Sequence, residues 1–378
     1  MKHSQFIWFF ILLVIIISIA GACKKESDNP PDNNPDTLAP APTIDTAMLN
    51  DAFLQVQQIS NIQSLVVCQN DTIIKEAFFG AGGADVTLDV RSVTKSITAL
   101  FVGIAIDKGF IQSGEQPIGD FLRLIVDTIS PDKASIKIRN LLTMTGGFEW
   151  DELTSVAGYN NWITAPNQVQ YVLDKPLIAQ PGEIFTYNSG AFHLLSVIIS
   201  RATGIQTLEF ANQNFFKPLG IGDKIWEVDH QGYNNGAAGL KITPHDMVKI
   251  GRLILHHGEY NGKWIVSSQW IEHLISLKII TNNAVPYGPG YGYGWWNGQS
   301  EQGNYAFAMG WGGQFIIAVP SLKLVVVATN KWSGISATVA NEQWYRTIDL
   351  IMTGILPAFT VKSLCNNPKA ENRYHLVK

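Results

Sequence analysis

The segment Ile97-Thr98-Ala99-Leu100-Phe101-Val102-Gly103-Ile104-Ala105-Ile106 carries no charge and is apolar nearly all round a helical wheel. A helix without a polar face cannot coat a domain, so this one belongs inside it. The run stops at Asp107-Lys108-Gly109, a C-terminal stop signal. Its start is Arg91-Ser92-Val93-Thr94-Lys95-Ser96. Ser92 and Lys95, three apart at a helix start, share one face. The amine can therefore reach the hydroxyl's proton, while the helix's free N–H groups favour negative charge beside it. This is the layout of a Ser/Lys nucleophile pair. An isolated S-x-x-K also reads as the cap of an ordinary helix, so its weight comes from its surroundings.

The first residues bear on location. Lys2 and His3 precede an apolar run from Phe6 to Ala20, the size of a signal-peptide core and short for a bilayer span. Ala20-Gly21-Ala22-Cys23 resembles a bacterial lipobox, in which cleavage precedes the cysteine and lipid is attached to it. Residues 1–22 are then a lipoprotein signal peptide and Cys23 the lipid attachment site. A plain signal peptide and an uncleaved anchor are the alternatives. Residues 23–43, polar and broken by prolines, read as a disordered tether. A flexible linker of this length spans roughly 25 Å root-mean-square. The expected location is outside the cytoplasm, lipid-anchored to a membrane, in the periplasm or at the outer-membrane or cell surface.

Residues 44–378 remain, large for one compact core but ordinary for a two-lobed enzyme. A net charge of −4 and the lack of a basic cluster interleaved with aromatics argue against nucleic acid as a partner. Of the three cysteines, Cys68 and Cys365 are left after Cys23. A disulfide between them and a buried free thiol at Cys68 are equally natural. There is no C-x-x-C, and His256-His257 are adjacent rather than i, i+4, so they read as a solvated helix end and no metal is expected. No cofactor is expected either. The run Gly288-Pro289-Gly290-Tyr291-Gly292-Tyr293-Gly294 lacks the strand-then-helix setting of a phosphate loop and reads as a turn before an aromatic strand, Tyr293-Gly294-Trp295-Trp296.

Apolar patterning puts sheet at both ends of the domain. Ser64 to Gln69 and Thr72 to Phe79 flank Asn70-Asp71 as one hairpin, and Gln314 to Val319 and Leu324 to Ala328 flank Pro320-Ser321 as another. Helical spacing runs over Ile138–Thr145 up to Gly146-Gly147, Phe192–Ala202, Pro244–His256 and Asn341–Ile355. The fold class is α/β in the α+β sense: an antiparallel sheet made by N- and C-terminal strands, flanked by helices, with a helical lobe.

Two further segments complete the chemistry: Pro181-Gly182-Glu183-Ile184-Phe185-Thr186-Tyr187-Asn188-Ser189-Gly190 and Gly310-Trp311-Gly312-Gly313-Gln314. With the hairpin, Ser92-Val93-Thr94-Lys95 and Leu141-Leu142-Thr143-Met144-Thr145-Gly146-Gly147, they resemble the class C β-lactamase-like serine hydrolases in order and spacing. That superfamily includes penicillin-binding proteins, family VIII esterases and 6-aminohexanoate-dimer hydrolases, and the likeness spans about Ser64 to Ile355. It implies the β-lactamase/transpeptidase-like fold and assigns roles. Ser92 is the acyl-forming nucleophile, Lys95 or Tyr187 its base, and the N–H groups of Ser92 and Gln314 the oxyanion hole. Gly312 and Gly313 would leave room for substrate along the strand edge.

Where this superfamily's β-lactamases and D,D-peptidases carry Lys-Thr-Gly or His-Thr-Gly, this chain has Trp311-Gly312-Gly313, a form similar to that of family VIII esterases. The cation and hydroxyl that hold a substrate carboxylate are gone. The usual Tyr-x-Asn is here Tyr187 followed by Asn188 and Ser189, which shifts or replaces the amide that contacts an acyl side chain; the resemblance leaves Asn188, Ser189 and Trp311 as the expected substrate-binding side chains. The resemblance implies a serine hydrolase of small ester or amide substrates, with a membrane reached only through the lipid anchor. A peptidoglycan D,D-peptidase, a β-lactamase, and a penicillin-binding-like protein without turnover are the alternatives. The oligomeric state and the physiological substrate are left open.

Overall fold

The computed structural model describes residues 42–155, 157–222 and 224–360. The signal-peptide segment, Cys23, the tether up to residue 41 and Cys365 lie outside the described residues. Thr43 and Ile44 pair antiparallel with Thr360 and Phe359, so Thr43, which the sequence assigned to the tether, belongs to the folded domain.

Eight strands make one antiparallel sheet: β1 (Ile62–Gln69), β2 (Thr72–Phe78), β3 (Ile279–Ile280), β4 (Gly290–Tyr291), β5 (Trp296–Ser300), β6 (Gly303–Gly310), β7 (Gln314–Val319) and β8 (Leu324–Asn330). Their order is β2-β1-β8-β7-β6-β5-β4-β3. Both expected hairpins form. Asn70 and Asp71 turn with φ of 48° and 64°, the left-handed pair that matches the twist of two joined strands and that Asn and Asp tolerate best. β1 lies against β8, with Val67 opposite Val326, so strands from the two ends of the domain close the sheet together.

The helices include α1 (Thr46–Gln55), α2 (Val93–Asp107), α3 (Ile138–Leu142), α4 (Ser189–Thr203), α5 (Pro244–Leu255), α6 (Ser268–Ile275) and α7 (Ala337–Leu350). Neighbouring residues of β7 point to opposite faces of the sheet. Phe315 meets Trp344 of α7 on one face, with ring centroids 5.5 Å apart. Ile316 faces Gly251 of α5 on the other, where a Cβ on Gly251 would stand 2.4 Å from Val325. Every residue of β7 is therefore buried. In α2 each residue from Val93 to Ala105 is buried, the apolar run from Ile97 onward as its pattern requires and the polar Thr94, Lys95 and Ser96 of the first turns along with it. It packs against α4, α6, β6 and β7. At Gly103 the Trp270 indole of α6 comes so close that a Cβ would sit 2.1 Å from the ring.

Several boundaries differ from the sequence expectation. The helix expected over Ile138–Thr145 ends at Leu142. Thr143 donates its hydroxyl to the Arg139 carbonyl, Met144 turns to a φ of 59°, and the Thr145 N–H returns to the Asn140 carbonyl. Side-chain and turn hydrogen bonds have outcompeted the helix ladder there. The helix expected from Asn341 starts earlier, at Ala337 under a Ser336 cap, and is regular only to Leu350 before a π turn over Ile351–Ile355. Of the expected aromatic strand only Trp296 belongs to β5. Gly294, with a φ of 78°, turns the chain over α2, where a Cβ would meet Ala99 at 2.9 Å. His256 follows α5 and bonds the Asp71 carboxylate at 2.7 Å. Cys68 is a free buried thiol whose pKa burial pushes up to about 11.

Candidate active site

Ser92 stands at the N-cap position of α2, yet its side chain makes no capping bond. Arg91 before it has a φ of 50°, an uncommon conformation for a residue with a side chain, and its N–H donates to Asp89 Oδ1 at 2.8 Å. The capping alternative for the serine therefore falls away, and the hydroxyl is left for other partners. Lys95, one turn on, donates from Nζ to Ser92 Oγ at 2.9 Å and to the Ala237 carbonyl at 3.0 Å. Lys95 is 1 % exposed. Burial disfavours its charged form and brings the pKa down to about 8; Arg91 lowers it further, and Glu152 works in the opposite direction.

Tyr187 closes the site from the other side. Its ring is stacked on Trp296 with centroids 5.9 Å apart, and Lys95 Nζ lies 5.0 Å from its centroid. Burial first, and then the Glu152 charge, push the phenol's pKa above the ordinary value, while the neighbouring Ser92 hydroxyl pulls it down. The loop that carries it is pinned to the turn after α3. Gly182 N–H donates to the Thr145 carbonyl and Thr186 N–H to the Met144 carbonyl, both at 2.8 Å, and Asn188 N–H points at Met144 Sδ at 3.3 Å. The left-handed Met144 is thus what joins the two loops.

The sequence placed Ser92, Lys95 and Tyr187 together, and the structure does bring them together. The residues after Tyr187 have other work. Asn188 Oδ1 accepts the Ala191 N–H as the N-cap of α4, because a helix start has N–H groups without intrahelical partners. Ser189 donates its N–H and hydroxyl to Glu152. Both are buried, and those bonds occupy the amide oxygen and the hydroxyl that the sequence had reserved for substrate.

The Gly310–Gln314 turn is similar. It is Gly310 that abuts the nucleophile's segment: a Cβ there would stand 2.4 Å from the Val90 carbonyl. Gly312 and Gly313, expected to make room for substrate, instead make room for protein. Cβ atoms on them would meet Trp332 at 2.7 Å and Asn330 at 2.6 Å, and both have positive φ. Gln314 is the ladder partner of Gly310, and its fully buried side chain donates to the Asn330 carbonyl at 2.8 Å. Trp311 packs edge to face on Trp332, and the Arg91 guanidinium sits 4.3 Å from Trp332 and 6.0 Å from Trp311.

Sequence reasoning missed Ala237, Glu152 and Arg91. A carbonyl has no side-chain signature, and Gly236-Ala237-Ala238-Gly239 shows only as a run of small residues. Glu152 lies outside the recognised motifs, and Arg91, though it opens the nucleophile segment, carried no role in the sequence. A cavity of about 410 Å³ is lined by Arg139, Asn140, Thr145, Glu183, Lys278 and Tyr293, among others; none of Ser92, Lys95 and Tyr187 lines it. The candidate site accordingly rests on hydrogen bonding rather than on cavity size. Among the described residues, no group of three His, Cys, Asp or Glu side chains stands ready for a metal ion.

The family model for β-lactamase matches residues 58–346, a span that contains all of these motifs. The chain belongs to the β-lactamase family. It is 23 % identical over 290 residues to the 6-aminohexanoate-dimer hydrolase of Paenarthrobacter ureafaciens, covering 71 % of this chain and 72 % of that protein. In fold it is similar to the octameric penicillin-binding protein homologue from Pyrococcus abyssi, with a TM-score of 0.61, 20 % identity and coverage of 80 % and 76 %. It is also similar to EstCE1, a hydrolase with promiscuous acyltransferase activity, with a TM-score of 0.62, 16 % identity and coverage of 80 % and 97 %. The β-lactamase/transpeptidase-like fold expected from the sequence is therefore the fold of this chain, and its relatives of this family include hydrolases.

Proposed function

We propose that this chain is a serine hydrolase that forms an acyl-enzyme on Ser92 and hydrolyses small ester or amide substrates. The observation that carries the reading is the hydrogen bond from Lys95 Nζ to Ser92 Oγ inside a buried site. A lysine held near pKa 8 is neutral in an appreciable fraction of molecules at neutral pH, so it can take the serine proton. Tyr187 is the weaker candidate for that step, because burial disfavours its phenolate. In this reading Lys95 accepts the Ser92 proton as Oγ attacks the carbonyl. Lys95 then returns a proton through Tyr187, which gives its own to the leaving group. Water attacks the acyl-enzyme by the reverse relay and releases the acid.

Backbone N–H groups hold the developing oxyanion. One belongs to Ser92. We move the second from Gln314 to Trp311, the residue following the glycine that abuts the Val90–Ser92 segment. Among the described residues neither N–H has a hydrogen-bond partner. Pre-steady-state kinetics with p-nitrophenyl butyrate test the whole reading. A burst followed by turnover supports it; a burst alone makes the protein a covalent trap, and no burst makes it a binding module.

Trp311 in place of a cationic residue supports neutral acyl groups over carboxylate-bearing ones. The wild type is expected to hydrolyse p-nitrophenyl butyrate faster than nitrocefin. Trp311→Lys should raise the nitrocefin-to-butyrate ratio, mainly through loss of the apolar contact, since the new ammonium would stand beside Arg91. A charge-assisted hydrogen bond to a well-placed carboxylate adds at most about 1.5–3 kcal/mol. An unmoved ratio would make Trp311 a packing residue for Trp332 and nothing more. D-amino-acid amides in the same panel address the D,D-peptidase alternative.

Cys23 and the small residues before it support lipid anchoring outside the cytoplasm. Cys23→Ser should move the protein from the detergent phase to the soluble fraction and abolish palmitate incorporation. Unchanged partitioning would favour an uncleaved anchor.

A further inference from the structure

Glu152 belongs to none of the sequence motifs, yet its carboxylate reaches both halves of the site. Oε1 accepts the Ser189 hydroxyl at 2.5 Å, while Oε2 accepts the Ser189 N–H and the Trp150 indole N–H, each at 2.9 Å. Ser189 is the first residue of α4, a 15-residue helix, where backbone N–H groups point outward and negative charge is favoured. Only Asn188 separates Ser189 from Tyr187, so this clamp fixes the turn that aims the phenol at Ser92.

The same carboxylate acts on Lys95 through its charge. Around the amine stand Ser92 Oγ and the Ala237 carbonyl as hydrogen-bond partners, the Tyr187 ring, and two charges of opposite sign, Arg91 and Glu152. Arg91 is tied back by Asp89 at 3.7 Å and by the rings of Tyr159 and Trp332 at 5.7 and 4.3 Å. Tyr159 lies in the field of Arg91, Glu152 and Asp89 alike.

We propose that Glu152 is a positioning residue of the reaction: through Ser189 it fixes the turn that sets Tyr187 against the Ser92–Lys95 pair. Its charge also acts on Lys95, in the sense opposite to that of Arg91. This rests on the serine-hydrolase reading. The two effects are separable. Glu152→Gln removes the charge and also one of the two acceptor oxygens, so it touches both effects. Ser189→Ala keeps the charge and loses the hydroxyl bond. Arg91→Gln removes the opposing charge.

The readout is the rate of Ser92 labelling by a fluorophosphonate as a function of pH. Wild-type labelling should rise with pH through about 8, where Lys95 loses its proton. With Glu152→Gln the rise should move to lower pH, because a charge that favoured the ammonium is gone, and the plateau should fall about tenfold or more from misplacement of the turn. With Arg91→Gln the rise should move to higher pH. Ser189→Ala should lower the plateau and leave the rise where the wild type has it. A Glu152→Gln profile that coincides with the wild type, or Ser189 and Arg91 variants that both do so, overturns the role of Glu152. Failure to label Ser92 in the wild type overturns the serine-hydrolase reading instead, so the two failures are distinct.

Discussion

Ser92→Ala is expected to abolish both turnover of p-nitrophenyl butyrate and labelling by a fluorophosphonate, with little change in melting temperature. The expectation of unchanged stability comes from the helix start. Ser92 Oγ caps no N–H, so its removal leaves no helix donor newly orphaned. Lys95 keeps the Ala237 carbonyl as a partner. Loss of activity follows from what other serines are doing. Ser96 donates to the Gly294 carbonyl, Ser64 shares a bond with Thr329, Ser196 and Ser200 bond Thr207, and Ser189 bonds Glu152. None of these serines receives a lysine amine as Ser92 does, so none of them is set up to take over the attack. Removing a nucleophile of this type costs a thousandfold or more, on the order of the losses that follow removal of a catalytic serine elsewhere. Labelling that persists in Ser92→Ala would place the nucleophile at another residue.

The parts of this molecule legible in its sequence are those written in local spacing. Asn70-Asp71 between two apolar runs is a turn on its own chemistry, and the structure puts both residues at positive φ. The apolar wheel of α2 gives burial directly, and Ser92 and Lys95 meet because three residues on a helix are one turn. What was not legible depends on contacts made far along the chain. Asn188 looked like a substrate ligand, but it precedes a helix whose first N–H groups need a partner. Gly312 and Gly313 looked like space for substrate, but Trp332 and Asn330 fill that space. Ala237, whose carbonyl holds Lys95, is 142 residues away from it in sequence. Thr143-Met144-Thr145 continued a helical pattern, and only the loop bearing Tyr187 explains why the chain leaves the helix there.

Lys95→Met should lose activity and gain stability together, a pairing that distinguishes a buried base from a packing residue. The amine is fully buried, with a hydroxyl and a carbonyl as its hydrogen-bond partners. Its pKa falls from the ordinary 10.5 to about 8. Below pH 8 both the folded and unfolded chains carry the proton, and the folded chain bears the full cost of the buried charge, about 3 kcal/mol for a shift of this size. Between about 8 and 10.5 the unfolded chain binds more protons than the folded one, so wild-type stability should rise with pH across that window. Lys95→Met removes the titrating group. Its melting temperature at pH 7 should exceed the wild type's, and the gap should narrow as pH approaches 10.5. Meanwhile kcat/KM should drop by roughly a hundredfold or more, the scale of a lost proton-transfer group, and the wild type's rise in kcat/KM near pH 8 should vanish. If Lys95→Met and Tyr187→Phe both keep near-wild-type rates, neither carries the proton. If Lys95→Met is less stable at pH 7, the bonds from the amine to Ser92 Oγ and the Ala237 carbonyl outweigh the cost of burying its charge.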